Sequence, residues 1–94
     1  MTVTFMKFTL DGAAVDSRET LHTLLAAGLG LPVWYGKNLD ALHDCLTDIH
    51  EPVELTVING NRLKGTLGPY AERLRRMLSH TANESDFLSL SWHE

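Results

Sequence analysis

The sequence predicts a small two-layer α/β domain in which a three-stranded parallel sheet is packed with three to four helices. Three observations carry that expectation. Runs of alternating, β-branched or aromatic residues occur at 3–10, 53–57 and 87–92. Amphipathic helical patterns fill both intervals between them, and strands separated by helices favour parallel pairing, because a parallel pair needs a long crossover. Finally, 94 residues with 44% hydrophobic content support one core over residues 1–94, but three strands cannot carry much helix on both faces.

Residues 3–10 are rich in Val, Phe and Thr and end at the turn pair Asp11-Gly12. Their apolar positions change phase at Met6, so partial cover on both faces is expected. Asp16 and Glu19 have capping-box spacing ahead of Leu21, Leu24 and Leu25, and Gly28 is a natural stop, which predicts a helix over 17–27. Gly30-Leu31-Pro32 breaks the chain, and Trp34-Tyr35-Gly36 forms a tight loop in which one aromatic closes the core and the other points outward.

Asn38 then caps a helix over 39–49. Leu39, Leu42, Leu46 and Ile49 form its apolar stripe, with Asp40, His43, Asp44 and Thr47 on the other side. After Pro52, the alternation of Val53, Leu55 and Val57 with Glu54 and Thr56 reads as the second strand. Asn59-Gly60-Asn61 reads as a turn, and Gly65 and Gly68 allow only a short helical turn over 61–68. Pro69 suits the first position of a helix reaching about Ser79, with Tyr70, Leu74, Met77 and Leu78 inward and Glu72 four residues before Arg76. Phe87 to Trp92 is the third strand, with Leu88, Leu90 and Trp92 on one side.

Composition narrows the function classes. The net charge of −4 argues against general nucleic-acid binding and permits a basic protein partner. One cysteine excludes an internal disulfide framework. The alternating N-terminus has no apolar h-region, and no apolar run reaches membrane-spanning length, so a cytoplasmic protein is expected. The charges are also segregated. From Asn38 to Asn61 there are five acids and no Lys or Arg, whereas residues 62–76 hold five of the eight basic groups.

The most informative stretch is Leu31 to Asp48. Asp40, Asp44 and Asp48 recur every four residues, so their carboxylates share one stripe. Each such pair costs a few tenths of a kcal/mol through repulsion. Asp44 and Asp48 also approach the negative helix C-terminus. A solvated polar face and a docking face for a cationic partner both fit this pattern. A metal site fits less well, because one straight helix seldom supplies a closed ligand set. Paired carboxylates on a convex helix lack the walls that would separate their pKa values for acid–base work.

Cys45 lies beside the apolar stripe with no neighbouring cation, which makes it a small packed residue rather than a nucleophile. Arg73, Arg75 and Arg76, with Glu72 among them and no aromatic platform, form a solvated helix face. The sequence has no phosphate-binding loop, dinucleotide fingerprint or hydrolase elbow.

Leu31-Pro32, Tyr35-Gly36, Asn38-Leu39-Asp40-Ala41-Leu42 and Asp44-Cys45-Leu46-Thr47 closely resemble the signature of the barstar family of intracellular ribonuclease inhibitors. The match is dense over 31–47 and consistent in element order elsewhere. The resemblance implies a barstar-like α/β fold and a bacterial immunity protein that binds a basic, secreted, barnase-like, guanyl-specific ribonuclease. In such proteins the loop and acidic helix plug the enzyme's active site. It further implies no catalytic residues, no metal, no cofactor, no direct nucleic-acid or membrane contact, and a monomer when free.

Carried over position by position, Asp44 takes the place of a substrate phosphate among the enzyme's Arg and His side chains, and Asp40 is a second acidic contact. Trp34 packs on the enzyme, while Asn38 and Thr47 are flanking polar contacts. Tyr35, Gly36, His43 and Asp48 complete the expected partner-binding set. His43 stands where the family has tryptophan and Asp48 where it has glycine. The acidic residue of the family's last helix corresponds to His80 or a neighbour. The alternative is a non-inhibitory interaction module for some other basic partner.

Overall fold

A computed structural model describes residues 6–94. Strand β1 (Met6–Asp11) leads through a 3-10 turn (Gly12–Ala14) to α1 (Arg18–Leu29) and α2 (Leu39–Thr47). Strand β2 (Val53–Ile58), helices α3 (Gly60–Leu67) and α4 (Pro69–Glu84), and strand β3 (Leu88–Trp92) follow. The strands form one parallel sheet in the order β1-β2-β3. The expected parallel α/β architecture with four helices is what the chain adopts.

Register explains the two layers. Phe8, Leu55 and Leu90 pair across the sheet, as do Leu10, Val57 and Trp92, giving one apolar face. The intervening rows, Lys7-Glu54-Ser89 and Thr9-Thr56-Ser91, are polar, and Lys7, Thr9, Ser89 and Ser91 are exposed. Helices therefore cover one side only. Within the described part of β1 the expected cover on both faces is not found, and positions 3–5 of that expected strand lie outside the described residues.

Leu21 and Leu25 of α1, Leu42 and Leu46 of α2, Leu63 of α3, and Leu74 and Leu78 of α4 meet Leu55 and Val57 in the core. α1 packs on β1, α4 on β3 and α2, and α3 on α4. Among the described residues no helix is long and apolar enough to cross a membrane.

Several boundaries differ from expectation, each for a local reason. Ser17 rather than Asp16 caps α1: its hydroxyl accepts from the Thr20 amide at 3.1 Å, while Asp16 accepts from the Thr20 hydroxyl. The helix passes through Gly28 and stops at Gly30, which adopts the left-handed conformation (φ 64°). Gly28 instead lets β1 approach, since a Cβ there would lie 2.3 Å from the Phe8 ring.

Residues 60–67 form a full helix where a turn and a short helical stretch were expected. Asn59 turns the chain in the left-handed region (φ 55°), its carbonyl accepts from the Arg62 and Leu63 amides, and buried Leu63 anchors the result. Finally, α4 continues to Glu84 rather than ending near Ser79. Buried Thr81 extends its inward stripe and donates its hydroxyl to the Met77 carbonyl at 2.9 Å.

Candidate functional site

The loop between α1 and α2 is built by local bonds. The Tyr35 amide donates to the Pro32 carbonyl at 3.0 Å and turns the chain. Asn38 then does two jobs. Its carboxamide oxygen accepts from the Ala41 amide at 2.8 Å, capping α2, while its NH2 group donates to the Gly36 carbonyl at 3.2 Å. Lys37, between them, sits at φ 52°, a region that disfavours side chains bearing a Cβ. The loop is thus tied to the first turn of the acidic helix.

Its two aromatics diverge as expected. Tyr35 is 7% exposed and Trp34 77% exposed. The Tyr35 hydroxyl lies 2.5 Å from Nδ1 of His22 on α1, and Nε2 of the same ring lies 2.7 Å from the Tyr70 hydroxyl on α4. His22 is fully buried. In a neutral imidazole one nitrogen donates and the other accepts, so the ring can satisfy both tyrosines at once. Burial, reinforced by the Lys37 charge, lowers the His22 pKa and keeps the ring neutral. Burial also pushes the Tyr35 pKa well up, with smaller contributions from Tyr70 and Cys45.

This bridge from α1 to the loop and α4 was not anticipated from the sequence. The available signal was that His22 shares the helical stripe of Leu25 and Leu29. A polar residue there must find partners, but their identity lies 13 and 48 residues away.

Asp40, Asp44 and Asp48 are all exposed on α2. Asp44 has 85% of its side chain exposed, and His43 Nδ1 lies 3.8 Å from its Oδ1. Asp40 and Asp48 have no cation within ion-pair distance among the described residues. α2 itself ends at Thr47, short of the expected residue 49, with Asp48 as its C-cap. Thr47 donates its hydroxyl to the Asp44 carbonyl at 2.9 Å.

Trp34, Tyr35, Gly36, Asp44 and Asp48 come together around a depression of about 270 Å³ that Ala41 and Cys45 also line. Two carboxylates therefore flank an aromatic wall. Asp40, His43 and Thr47 sit further round the helix. Thr47 instead borders a second depression of about 340 Å³ toward the end of α4, with Glu84, Asp86 and Phe87. On α4, His80 places Nε2 3.2 Å from Glu84 Oε1, so an acid lies one turn from the expected position.

Cys45 is half-buried. Burial, then the charges of Asp48 and Asp44, push its thiol pKa up, which disfavours the nucleophilic thiolate. Among the described residues no group of three or more His, Cys, Asp or Glu side chains is arranged to hold a metal ion.

The fold and this geometry define a small parallel α/β protein that presents an acidic helix beside an exposed aromatic loop. The chain belongs to the barstar family: the family profile described as Barstar (barnase inhibitor) matches residues 5–89. It is also 35% identical over 79 residues to a Bacillus subtilis (strain 168) protein named "Putative ribonuclease inhibitor YrdF", covering 83% of this chain and 87% of that one.

Proposed function

We propose that this protein is an intracellular ribonuclease inhibitor of the immunity type that blocks the active site of a basic, guanyl-specific ribonuclease. Family membership and the name of the Bacillus relative support the inhibitor class. The observation that carries the mechanism is the depression where Asp44 and Asp48 face Trp34. A ribonuclease that binds RNA phosphates presents arginine, lysine and histidine in a concave site. Carboxylates on a convex helix answer that chemistry, and charge-assisted bonds to arginine are the stronger kind.

Asp44 would stand in for a substrate phosphate, with Asp40 and Asp48 extending the negative field and Trp34 packing at the rim. Asn38 would contribute mainly by holding the loop to the helix, as would Tyr35 through His22. The acidic stripe also steers a basic enzyme toward the correct face before contact. The free protein would be a monomer at moderate salt, with residues 1–94 acting as one domain.

Mixing the purified protein with a panel of small microbial guanyl-specific ribonucleases, including one encoded beside its own gene, tests this reading. Stoichiometric loss of RNA cleavage is the expected outcome. Binding to a basic partner with cleavage intact would instead identify a non-inhibitory interaction module.

A further inference from the structure

The opposite charge on this chain lies at the elbow between α3 and α4. Gly68, at φ 59°, ends one helix and Pro69 begins the next. The bend opens a groove of about 500 Å³ bordered by Lys64, Gly68, Pro69, Glu72, Arg73 and Arg76. Gly68 and Pro69 give it an apolar lining, and a Cβ built on Gly68 would meet nothing within 4 Å. The aliphatic stems of the long side chains form its walls, with their charges at the rim. Three cations face one carboxylate there. Glu72 is engaged with Lys64 at 3.8 Å, whereas Arg73 and Arg76 have no carboxylate within ion-pair distance among the described residues.

This groove is the chemical complement of the loop and α2. Val33 and Trp34 form an exposed apolar knob, 105% and 77% accessible, with Asp44 and Asp48 beside Trp34. An aromatic knob with an acidic border suits a groove with an apolar lining and a cationic border, and a guanidinium beside an indole face adds a cation–π contact. A basic ribonuclease would be repelled from the groove. Nucleic acid would find no aromatic stacking surface at its border.

We propose that the α3–α4 groove is a docking surface for a second copy of this chain, which inserts its Val33-Trp34 knob while its aspartate stripe meets Arg73 and Arg76. Knob and groove are different surfaces, so the contact is heterologous, and a single knob-in-groove contact joins two copies. Self-association covers the same Trp34 and Asp44 that face the ribonuclease. Under the low-salt conditions that favour docking, the inhibitor is concealed and the enzyme must compete for it. Docking between copies stands without the ribonuclease reading, and only the competition rests on it.

Sedimentation of the full chain, with no ribonuclease present, tests the docking. At about 10 mM salt, where charges act over about 30 Å, association is expected at protein concentrations up to about 1 mM. At about 1 M salt, where that range shrinks to about 3 Å, it should weaken about tenfold or more. Arg73→Glu/Arg76→Glu and Trp34→Ala/Asp44→Ala should each be monomeric at low salt. Mixed together they should recover a 1:1 pair, since one keeps its knob and the other its groove. A wild-type chain that stays monomeric throughout, or association indifferent to salt and to both variants, or no recovery on mixing, would each overturn the proposal. If docking holds, adding an inhibited ribonuclease should dissociate the pair. Persistence of the pair in an assay where cleavage is blocked would refute the competition alone.

Discussion

Helices α2 and α4 pack against each other and against the same side of the sheet, yet they treat charge in opposite ways. On α4 most charged groups have a partner within the molecule. Arg75 donates to Glu94 Oε1 at 2.6 Å and lies over the Trp92 ring, Arg73 lies over Tyr70, and His80 meets Glu84. Glu72 turns to Lys64 rather than to Arg76, the partner its spacing suggested. On α2 three aspartates share one stripe, and among the described residues only His43 approaches it, with Nδ1 3.8 Å from Asp44 Oδ1. Charges partnered internally serve the fold. Like charges left one turn apart, two of them near a helix C-terminus, cost stability and are poised for something outside it.

The sharpest way to break this contrast is Asp44→Ala. Titration against an inhibited ribonuclease should show an affinity loss of several kcal/mol, above the roughly 2 kcal/mol that marks a hot spot, a class of behaviour for which the barstar complex is itself a defining system. Thermal unfolding of the same variant should move by no more than about 0.5 kcal/mol. An affinity loss under about 1 kcal/mol, ordinary for an exposed pair, would mean that the stripe is not the contact face.

The buried bridge comes next. His22→Ala leaves a void and two buried hydroxyls without their partner, so urea denaturation should show a loss of about 3 kcal/mol. Tyr70→Phe removes one hydroxyl and leaves one ring nitrogen unmatched, at about 1–3 kcal/mol. If both variants matched the wild type, the loop would be held by the Asn38 bonds and the Tyr35–Pro32 backbone turn without the buried bridge.

The same bridge sets a pH dependence. The folded-state pKa of His22 lies below its ordinary value of 6.5, so the unfolded chain takes up the proton more readily. Its contribution to stability is therefore complete above pH 6.5 and is lost as the pH falls from there through the lowered folded value. Denaturation between pH 7.5 and 5 should show the slope in the wild type and a shallower one in His22→Ala. Equal slopes would show that other groups carry it.

Arg75→Ala is the counterpart of Asp44→Ala on the paired helix. It should cost about 1 kcal/mol of stability or less, from an exposed ion pair and a cation–π contact, with ribonuclease affinity unchanged. The smallest effect is expected at the end of α2. Asp48→Asn removes repulsion from Asp44 and an unfavourable charge at the helix C-terminus, so stability should rise by a few tenths of a kcal/mol while affinity falls. A variant that lost stability would show Asp48 to be structural.

Much of the architecture was legible because periodicity is local. The alternation of Val53, Leu55 and Val57 and the stripe of Leu42 and Leu46 state which faces are buried, and the intervening helices dictate parallel pairing. The Asn38 cap and the stripe of aspartates follow from spacing alone. The errors fell where local signals compete: Gly28 resembles a stop but was needed for contact with Phe8, and Ser17 and Asp16 are both good caps.

Sequence by itself therefore determined the sheet, the acidic face and the family, since a period of two, a period of 3.6 and a charge repeat are properties of neighbours along the chain. Tertiary structure alone decided that Tyr35 and not Trp34 turns inward, that one buried histidine ties α1 and α4 to the loop, and that Asp44 and Asp48 rather than Asp40 face the exposed aromatic. These outcomes depend on which surfaces meet when helices pack. A hydrogen bond spanning 48 residues leaves no repeat in the sequence to announce it.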